Sequence, residues 1–394
     1  MEKIALGLII PSVERLSPIV DFLENARKYK HEITNLIIGY SDFVDQKIIA
    51  HLRKYCHVTT VKRGDATFLE EKLCKLGLAQ VEIDILLRKP EFEKYHKMGY
   101  GTSRNHVLIT AILLKMDFLL FFDSDIFPYI LHSDETNTGF TSEEIDFVGA
   151  HLKYLHSDKD VVVTSSDYTG YYIIPKMNFP YLRDLLFGVQ KEDRFSYISA
   201  VSGPVTCDHK LQNVFDTEKI LGGNLAINLN KLSMLPPFFS NTLVLDNECY
   251  LGRGEDTLFS PIIHYYGGKC LDIDLLIFHN CFGDFPVKPD IAIPKNKDRF
   301  FYATIGWIIR NPFYNWLRSE YFKEQKPINY AERYEALVRG SQAAAEFLLD
   351  ERFLKLPRAF EKAYKKLPED IEQFHDLLQV WKKMIRLFED QKEA

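Results

Sequence analysis

Short apolar runs alternate with amphipathic stretches through the first 130 residues. Residues 4–10, 35–40, 57–61 and 118–122 are apolar segments of strand length, and 17–30, 43–55 and 104–115 repeat their apolar positions at helical spacing. Strands that alternate with helices of this length predict a parallel sheet covered on both faces. The run Phe118–Phe122 is aromatic and uninterrupted, as a strand buried on both sides requires. Residues 64–98 break the rhythm with charge, and predict a helical insertion over 68–89 and a loop after Pro90.

Beyond residue 125 the pattern changes. Residues 128–142 are rich in Ser, Asp, Thr and Asn and predict an exposed loop. Apolar runs at 161–163, 171–174, 220–229 and 271–278 predict strands, with a helix over 255–266. From about 298 the chain reads as helical. Ile371, Phe374, Leu377, Leu378, Trp381, Met384, Ile385 and Phe388 form an apolar stripe at helical spacing, whose first use is packing on its own domain. A homodimer contact through these helices comes second, and a membrane surface third. Trp307, Phe313 and Trp316 predict an aromatic cluster where this region meets the core. The expected organisation is one α/β domain over 1–297, in halves 1–125 and 126–297, with a helical region, 298–394, packed on it.

Composition narrows the function without naming it. The chain is 46% hydrophobic and 26% charged, an ordinary globular balance. A net charge of −6 argues against nucleic acid as a partner. Six scattered cysteines without a C-x-x-C pair fit reduced thiols in a cytoplasm. No stretch reaches 18 apolar residues and the first strand lacks a cleavage site, so neither a transmembrane segment nor a signal peptide is expected.

The candidate chemistry begins where the buried strand stops. Asp123 and Asp125 flank Ser124 at its C-terminal end, where open α/β sheets bind ligands. Side chains alternate along a strand, so both carboxylates point one way and suit Mg2+ or Mn2+ with phosphates. The plain alternative is a polar strand end leading into a turn. Gly99-Tyr100-Gly101-Thr102-Ser103-Arg104 runs into a helix, and is either a capping turn or an anion site with Arg104 as phosphate donor. Leu221-Gly222-Gly223-Asn224 is either a bulge or a flat floor for a sugar ring. Glu255, Asp256 and Thr257 open a helix, where the acids either favour its dipole or serve as base and hydroxyl ligand. His279 ends an apolar strand and is a structural histidine or a third metal ligand.

Taken in order, these motifs resemble the GT-A glycosyltransferases, over roughly residues 4–285. Asp123-Ser124-Asp125 resembles their D-x-D, Ile9-Ile10-Pro11-Ser12 their nucleoside cradle, 254–257 their acidic acceptor motif, and His279 their late metal ligand. Within that fold the chain is most similar to the mannosylglycerate synthases, through Ile38-Gly39-Tyr40, Gly99–Asn105, Leu221-Gly222-Gly223, Gly254-x-Asp256-Thr257, and His279 followed by Phe282-Gly283. It departs at Tyr100, Asn224 and Phe282, where that family has a lysine, an acid and a tyrosine.

The resemblance implies a doubly wound mixed sheet, with a nucleotide-sugar half (1–125) and an acceptor half (126–297). It implies a donor, GDP-mannose before a UDP-sugar, held by Pro11, Ser12, Tyr40, Lys97, Gly99, Tyr100, Arg104, Asp123 and Ser124. The metal falls to Asp125 and His279 with Asp123. The acceptor, a small polar molecule such as glycerate or an inositol phosphate, falls to Leu221, Gly222, Gly223, Asn224, Asp256, Thr257 and Phe282, with Asp256 or Glu255 as base. The alternatives are a peripheral transferase for a polysaccharide or glycolipid, a nucleotidyltransferase, and a non-catalytic sugar-nucleotide binder. Pro11-Ser12-Val13-Glu14-Arg15, where a nucleotidyltransferase carries a glycine-rich loop, speaks against the second.

Overall fold

The apolar runs assemble into one eight-stranded mixed sheet. The computed structural model describes the 394 residues except 1, 96, 98, 135–138, 187–197, 200–202, 208–213, 322–328 and 394. In spatial order the strands are Phe215–Asp216, Lys269–Asp272, Val161–Ser165, Asn224–Asn228, Phe118–Phe122, Ile4–Val13, Ile33–Val44 and His57–Lys62. Ile4–Val13 pairs in parallel with Ile33–Val44 and with Phe118–Phe122, whereas Asn224–Asn228 runs antiparallel to both of its neighbours.

Alternation along the strands divides the core in two. Leu6, Leu8, Phe118, Leu120 and Phe122 face one set of helices, with Phe22 and Phe147 against them. Ala5, Leu119, Phe121, Leu225 and Ile227 face the other, with Val107, Phe238 and the end of the last helix. Burial on both faces is why these strands carry continuous apolar runs. The architecture is the doubly wound mixed sheet, with a helical C-terminal region, that the sequence predicts.

Several element limits differ from expectation, each for a local reason. The insertion is two helices, Thr67–Leu76 and Gln80–Leu87, divided at Gly77, whose φ of +105° ends the first. The loop expected after Pro90 is a helix, Lys89–Tyr95, because proline is tolerated in a first helical turn. The predicted loop 128–142 contains a hairpin, Tyr129–Ser133 with Phe140–Glu144, and buries Ile130 and Leu131; residues 135–138 lie outside the described part. The strand expected at 171–174 is absent, since Gly170 at φ +105° turns the chain after the short strand Tyr168–Thr169. Asp274 at φ +54° likewise breaks 271–278 into Lys269–Asp272 and Ile277–His279. The helix predicted over 255–266 starts as a 3-10 turn, Asp256–Leu258, before Phe259–Tyr265.

Among the described residues the C-terminal region holds three α-helices, Pro294–Tyr321, Tyr330–Leu348 and Leu356–Glu393, and a 3-10 turn, Glu351–Lys355. The last helix joins a third apolar cluster, built among the C-terminal helices, through Leu356, Ala359 and Phe360, and the core on one sheet face through Phe374, Trp381 and Met384. Its apolar stripe lies against the sheet domain, where Trp381 Nε1 donates to the Leu235 carbonyl (2.7 Å), so the stripe offers no face to a second copy. Phe313, Trp316 and Phe374 form the expected aromatic cluster, but Trp307 lies elsewhere, in the cleft described below. Among the described residues no helix is long and apolar enough to cross a membrane, and none of the six cysteines is in a disulfide.

Candidate functional site

A cleft of about 470 Å3 opens at the C-terminal ends of the parallel strands. The antiparallel strand Asn224–Asn228 builds its floor. Asn224 pairs with Phe122, so the residues before that strand, Gly222 and Gly223, lie beside the residues after the other, Asp123 to Asp125. A Cβ on Gly223 would come within 2.4 Å of Asp123 Oδ2, and one on Gly222 within 2.3 Å of Arg104 Nη2. The glycine pair is a close-approach floor.

Arg104 is the centre of the buried charge. The helix expected from residue 104 begins at Tyr100, which places Arg104 one turn inside it and 5% exposed. Its Nε donates to Glu255 Oε1 (2.9 Å), Nη1 to the Gly222 carbonyl (2.8 Å), and Nη2 lies 3.4 Å from Asp123 Oδ1. Burial alone would lower the Arg104 pKa, but the charges of Asp123, Glu255 and Asp256 outweigh it and hold it up. The guanidinium thus already serves three protein acceptors, which makes Arg104 a positioning residue in place of the expected phosphate donor. Glu255 is corrected in the same way. Although it lines the cleft, it is committed as the buried counter-charge of Arg104, and burial and the charge of Asp256 raise its pKa.

His279 reaches the site through a small three-stranded sheet that the sequence does not announce. Ile277–His279 lies between Ile126–Phe127 and Tyr168–Thr169, with His279 paired to Ile126. The Asn280 N–H donates to the Asp125 carbonyl (2.8 Å), and His279 Nε2 lies 3.3 Å from Asp125 Oδ2. Burial works to raise the Asp125 pKa, but the His279 hydrogen bond, the charge on that ring and Arg299 hold it below the ordinary value. Asp123 goes the other way. Although 37% of its side chain meets solvent, its depth in the cleft raises its pKa against the pull of Arg104.

Among the described residues no group of three or more His, Cys, Asp or Glu is placed to hold a metal alone. Asp123, expected as a metal ligand, is drawn to Arg104 instead. A carboxylate and an imidazole at one point fit Mg2+ or Mn2+ where a phosphate-bearing ligand supplies the remaining oxygens.

Asp256 is held from both sides. Its Oδ2 accepts from the Gly222 N–H (2.8 Å) and its Oδ1 from the Thr257 N–H (2.9 Å), leaving each oxygen a lone pair toward the cleft. Gly254 (φ +85°) turns this loop, and Arg310 from helix Pro294–Tyr321 clamps it by donating to the Gly254 carbonyl (3.1 Å) and to Thr257 Oγ1. Arg299 donates to the Cys281 carbonyl (2.7 Å) and stacks over the Phe282 ring (4.7 Å), so Phe282 stands behind Arg299 and not on the cleft wall. Arg253 lies over the Tyr100 ring (5.6 Å), and among the described residues its guanidinium makes no side-chain hydrogen bond. Four carboxylates therefore face four guanidiniums in the cleft wall.

The sequence-predicted residues divide accordingly. Tyr100, Arg104, Asp123, Ser124, Asp125, Leu221, Gly222, Gly223, Glu255, Asp256, Thr257 and His279 share the cleft. Asn224 does not. Its side chain is buried, donating to the Asp167 and Leu275 carbonyls while its Oδ1 meets His151 Nε2, and it ties strands together. Lys97 donates to the Cys249 carbonyl (2.8 Å) in a separate surface hollow. Gly99 caps its helix against Ser240, whose Oγ accepts the Gly101 N–H (2.9 Å), so the glycine loop offers that amide to no anion. Pro11 and Ser12 lie near the C-terminal end of the first strand and Tyr40 within the second, paired with Ile10, and none of the three is in the cleft lining. Residues missed in the sequence are Tyr168, Arg253, Arg299, Trp307 and Arg310. Arg253 was within reach, beside the 254–257 motif; the others arrive through long-range packing.

No protein-family model matches the chain, and no curated protein matches it. Among solved structures it is similar to a mycobacterial protein at 12% identity and a TM-score of 0.38, over 78% of this chain and 74% of that one. Glucosyl-3-phosphoglycerate synthase from Mycobacterium tuberculosis, in complex with phosphoglyceric acid, is similar over 60% of each chain at 15% identity and a TM-score of 0.31. The same enzyme in complex with Mn2+, uridine diphosphate and phosphoglyceric acid is similar at 16% identity and a TM-score of 0.30, over 60% of this chain and 58% of that one. The match to the synthase thus spans about three fifths of its length.

Proposed function

We propose that the protein is a metal-dependent glycosyltransferase of the GT-A kind, moving a sugar from a nucleotide diphosphate donor to a small polar acceptor. The observation that carries this is the meeting of Asp125 with His279, 3.3 Å apart, beside a glycine floor at the C-terminal end of the sheet. With its acids and guanidiniums balanced, the cleft has no net positive charge to hold a diphosphate. Asp125 and His279 would hold Mg2+ or Mn2+ there, and the bound ion would offset the diphosphate's charge and favour its departure.

Each residue has a part in this reading. Arg253 and Arg299 face the diphosphate. Asp123, steadied by Arg104, accepts from a ribose or sugar hydroxyl. Asp256, gripped by two backbone N–H groups, accepts from a hydroxyl of the reacting sugars, and Tyr168 remains a donor because burial and the charges of Asp123 and Asp256 keep its phenol protonated. The motif resemblance favours GDP-mannose as donor, with a UDP-sugar the next to try; the acceptor is a small polar molecule, to be tried as glycerate, an inositol phosphate, myo-inositol and methyl glucoside.

The test is product formation with Mn2+ and a panel of GDP- and UDP-sugars, each with and without these acceptors, read by release of the nucleoside diphosphate and by NMR of the product anomer. The reading expects one donor to be consumed in a metal-dependent way. Donors that all stay intact with every acceptor would refute it.

A further inference from the structure

A second chamber, of about 180 Å3, opens off the cleft. The two share Tyr168, Ile173, Leu221 and His279 as a common wall, so whatever fills the chamber lies against the reacting centre. Its other walls include Tyr171, Tyr172, Val205 and Leu276. Two flat aromatic walls and an aliphatic one suit the face of a ring. The volume is below the roughly 300 Å3 at which pockets take a whole drug-sized molecule, so the chamber takes one end of a ligand.

Charge decides what that end is. Apart from His279, the charged residues in the chamber wall are Asp167 and Lys219, which are paired with each other. Among the described residues, no uncommitted lysine or arginine is left there for a carboxylate or phosphate. The arginines stand in the cleft, on the other side of Tyr168 and His279. An acyl chain fits no better, because it would desolvate the Asp167–Lys219 pair without a hydrogen bond in return. A polyhydroxylated ring satisfies both demands. Its C–H face lies on the tyrosines, and its hydroxyls reach Asp167, whose side chain is 39% exposed, and Lys219.

We infer that this chamber is the acceptor subsite and that it takes an uncharged polyhydroxylated ring, a sugar or a cyclitol. The assignment rests on the glycosyltransferase reading. The ring presents one hydroxyl past Tyr168 and His279. That oxygen forms the new bond to the donor's anomeric carbon, the bond from that carbon to the diphosphate oxygen breaks, and the nucleoside diphosphate leaves with the electron pair. The hydroxyl proton passes to the departing diphosphate.

The test separates binding from transfer. Saturation-transfer NMR on the whole protein, without donor, uses methyl glucoside and myo-inositol as ring probes and glycerate as the charged acyclic control. The rings should show transfer from the protein and glycerate none. Val205→Trp fills the chamber from a wall that the cleft does not share. It should lower the ring signal at least tenfold, whereas Val205→Ala should keep it; melting temperature reports whether each variant is folded. If neither ring binds the wild type, if glycerate competes with the rings, or if Val205→Trp binds them as well as Val205→Ala does, the assignment is wrong. If rings bind as described but no sugar nucleotide is ever consumed, the chamber stands as a ring site and the glycosyltransferase reading fails.

Discussion

At the scale of single residues, the site is a division of labour among charges. Arg104 is buried with Glu255, and removing one partner of such a pair leaves the other charge without compensation, at a cost of about 3–5 kcal/mol. Arg104→Ala should therefore lower unfolding stability by that order in urea titrations. The double change Arg104→Met with Glu255→Leu should recover most of it, because the lone charge is gone, yet leave activity low, because Asp123 has lost its support. Arg253 behaves oppositely. Arg253→Ala should leave stability nearly unchanged and weaken nucleoside diphosphate binding by about 2 kcal/mol, the worth of a charge-assisted contact. Calorimetry on the two variants separates the positioning arginine from the binding one.

The residue scale also shows what one sequence makes legible. Asp123 and Asp125 stand out because charge abruptly ends an apolar run, and Gly222-Gly223 because two glycines precede another. Arg104 was visible but its work was not, since nothing local says that its helix begins at Tyr100 and carries it under the floor. Asn224 was misread for a related reason. Its place beside the glycines suggested the cleft, but strand alternation turns its side chain to the opposite face, onto His151.

At the scale of elements, register explains why distant motifs meet. The antiparallel pairing of Asn224–Asn228 and the His279–Ile126 pairing bring three parts of the chain together at the C-terminal end of the parallel strands. Such pairings leave no local signature, which is why the small sheet was not expected. Part of this register is held by His151, between helix Phe147–Leu155 and the strands. Its Nε2 lies 3.1 Å from Asn224 Oδ1 and its Nδ1 2.8 Å from Thr164 Oγ1, and burial favours the neutral ring. Burial lowers its pKa to about 4, and that of His106 likewise to about 4. The folded state thus refuses a proton that the unfolded chain accepts near pH 6.5. Each histidine contributes stability above that pH and loses it as pH falls toward 4, by on the order of 3 kcal/mol. Urea unfolding at pH 7 and pH 5 should show the decline, and His151→Gln should make it shallower. An unchanged slope in that variant would remove His151 from the account.

At the scale of the whole molecule, the last helix bridges the core on one sheet face and the cluster among the C-terminal helices. Trp381 is 1% exposed and hydrogen-bonded to Leu235, so Trp381→Ala should cost about 3–5 kcal/mol, visible as a lower melting temperature. We read 1–297 as the catalytic unit and 298–394 as part of its structure. A chain ended at residue 297 should be insoluble or far less stable, because it exposes the face that Phe374, Trp381 and Met384 cover. Helix Pro294–Tyr321 also carries Arg299, Trp307 and Arg310 into the cleft, so that chain should lose activity even where it stays in solution.

The central claim is that Asp125 and His279 hold a divalent cation together with a nucleotide diphosphate. Titration calorimetry of GDP and UDP into the wild type, Asp125→Ala and Asp123→Asn, each with Mn2+ and with EDTA, tests it most directly. The account predicts that one nucleotide binds the wild type only with Mn2+, that Asp125→Ala abolishes this binding, and that Asp123→Asn keeps the metal dependence at reduced affinity. Nucleotide binding that is equal in Mn2+ and EDTA, or that survives intact in Asp125→Ala, would contradict it.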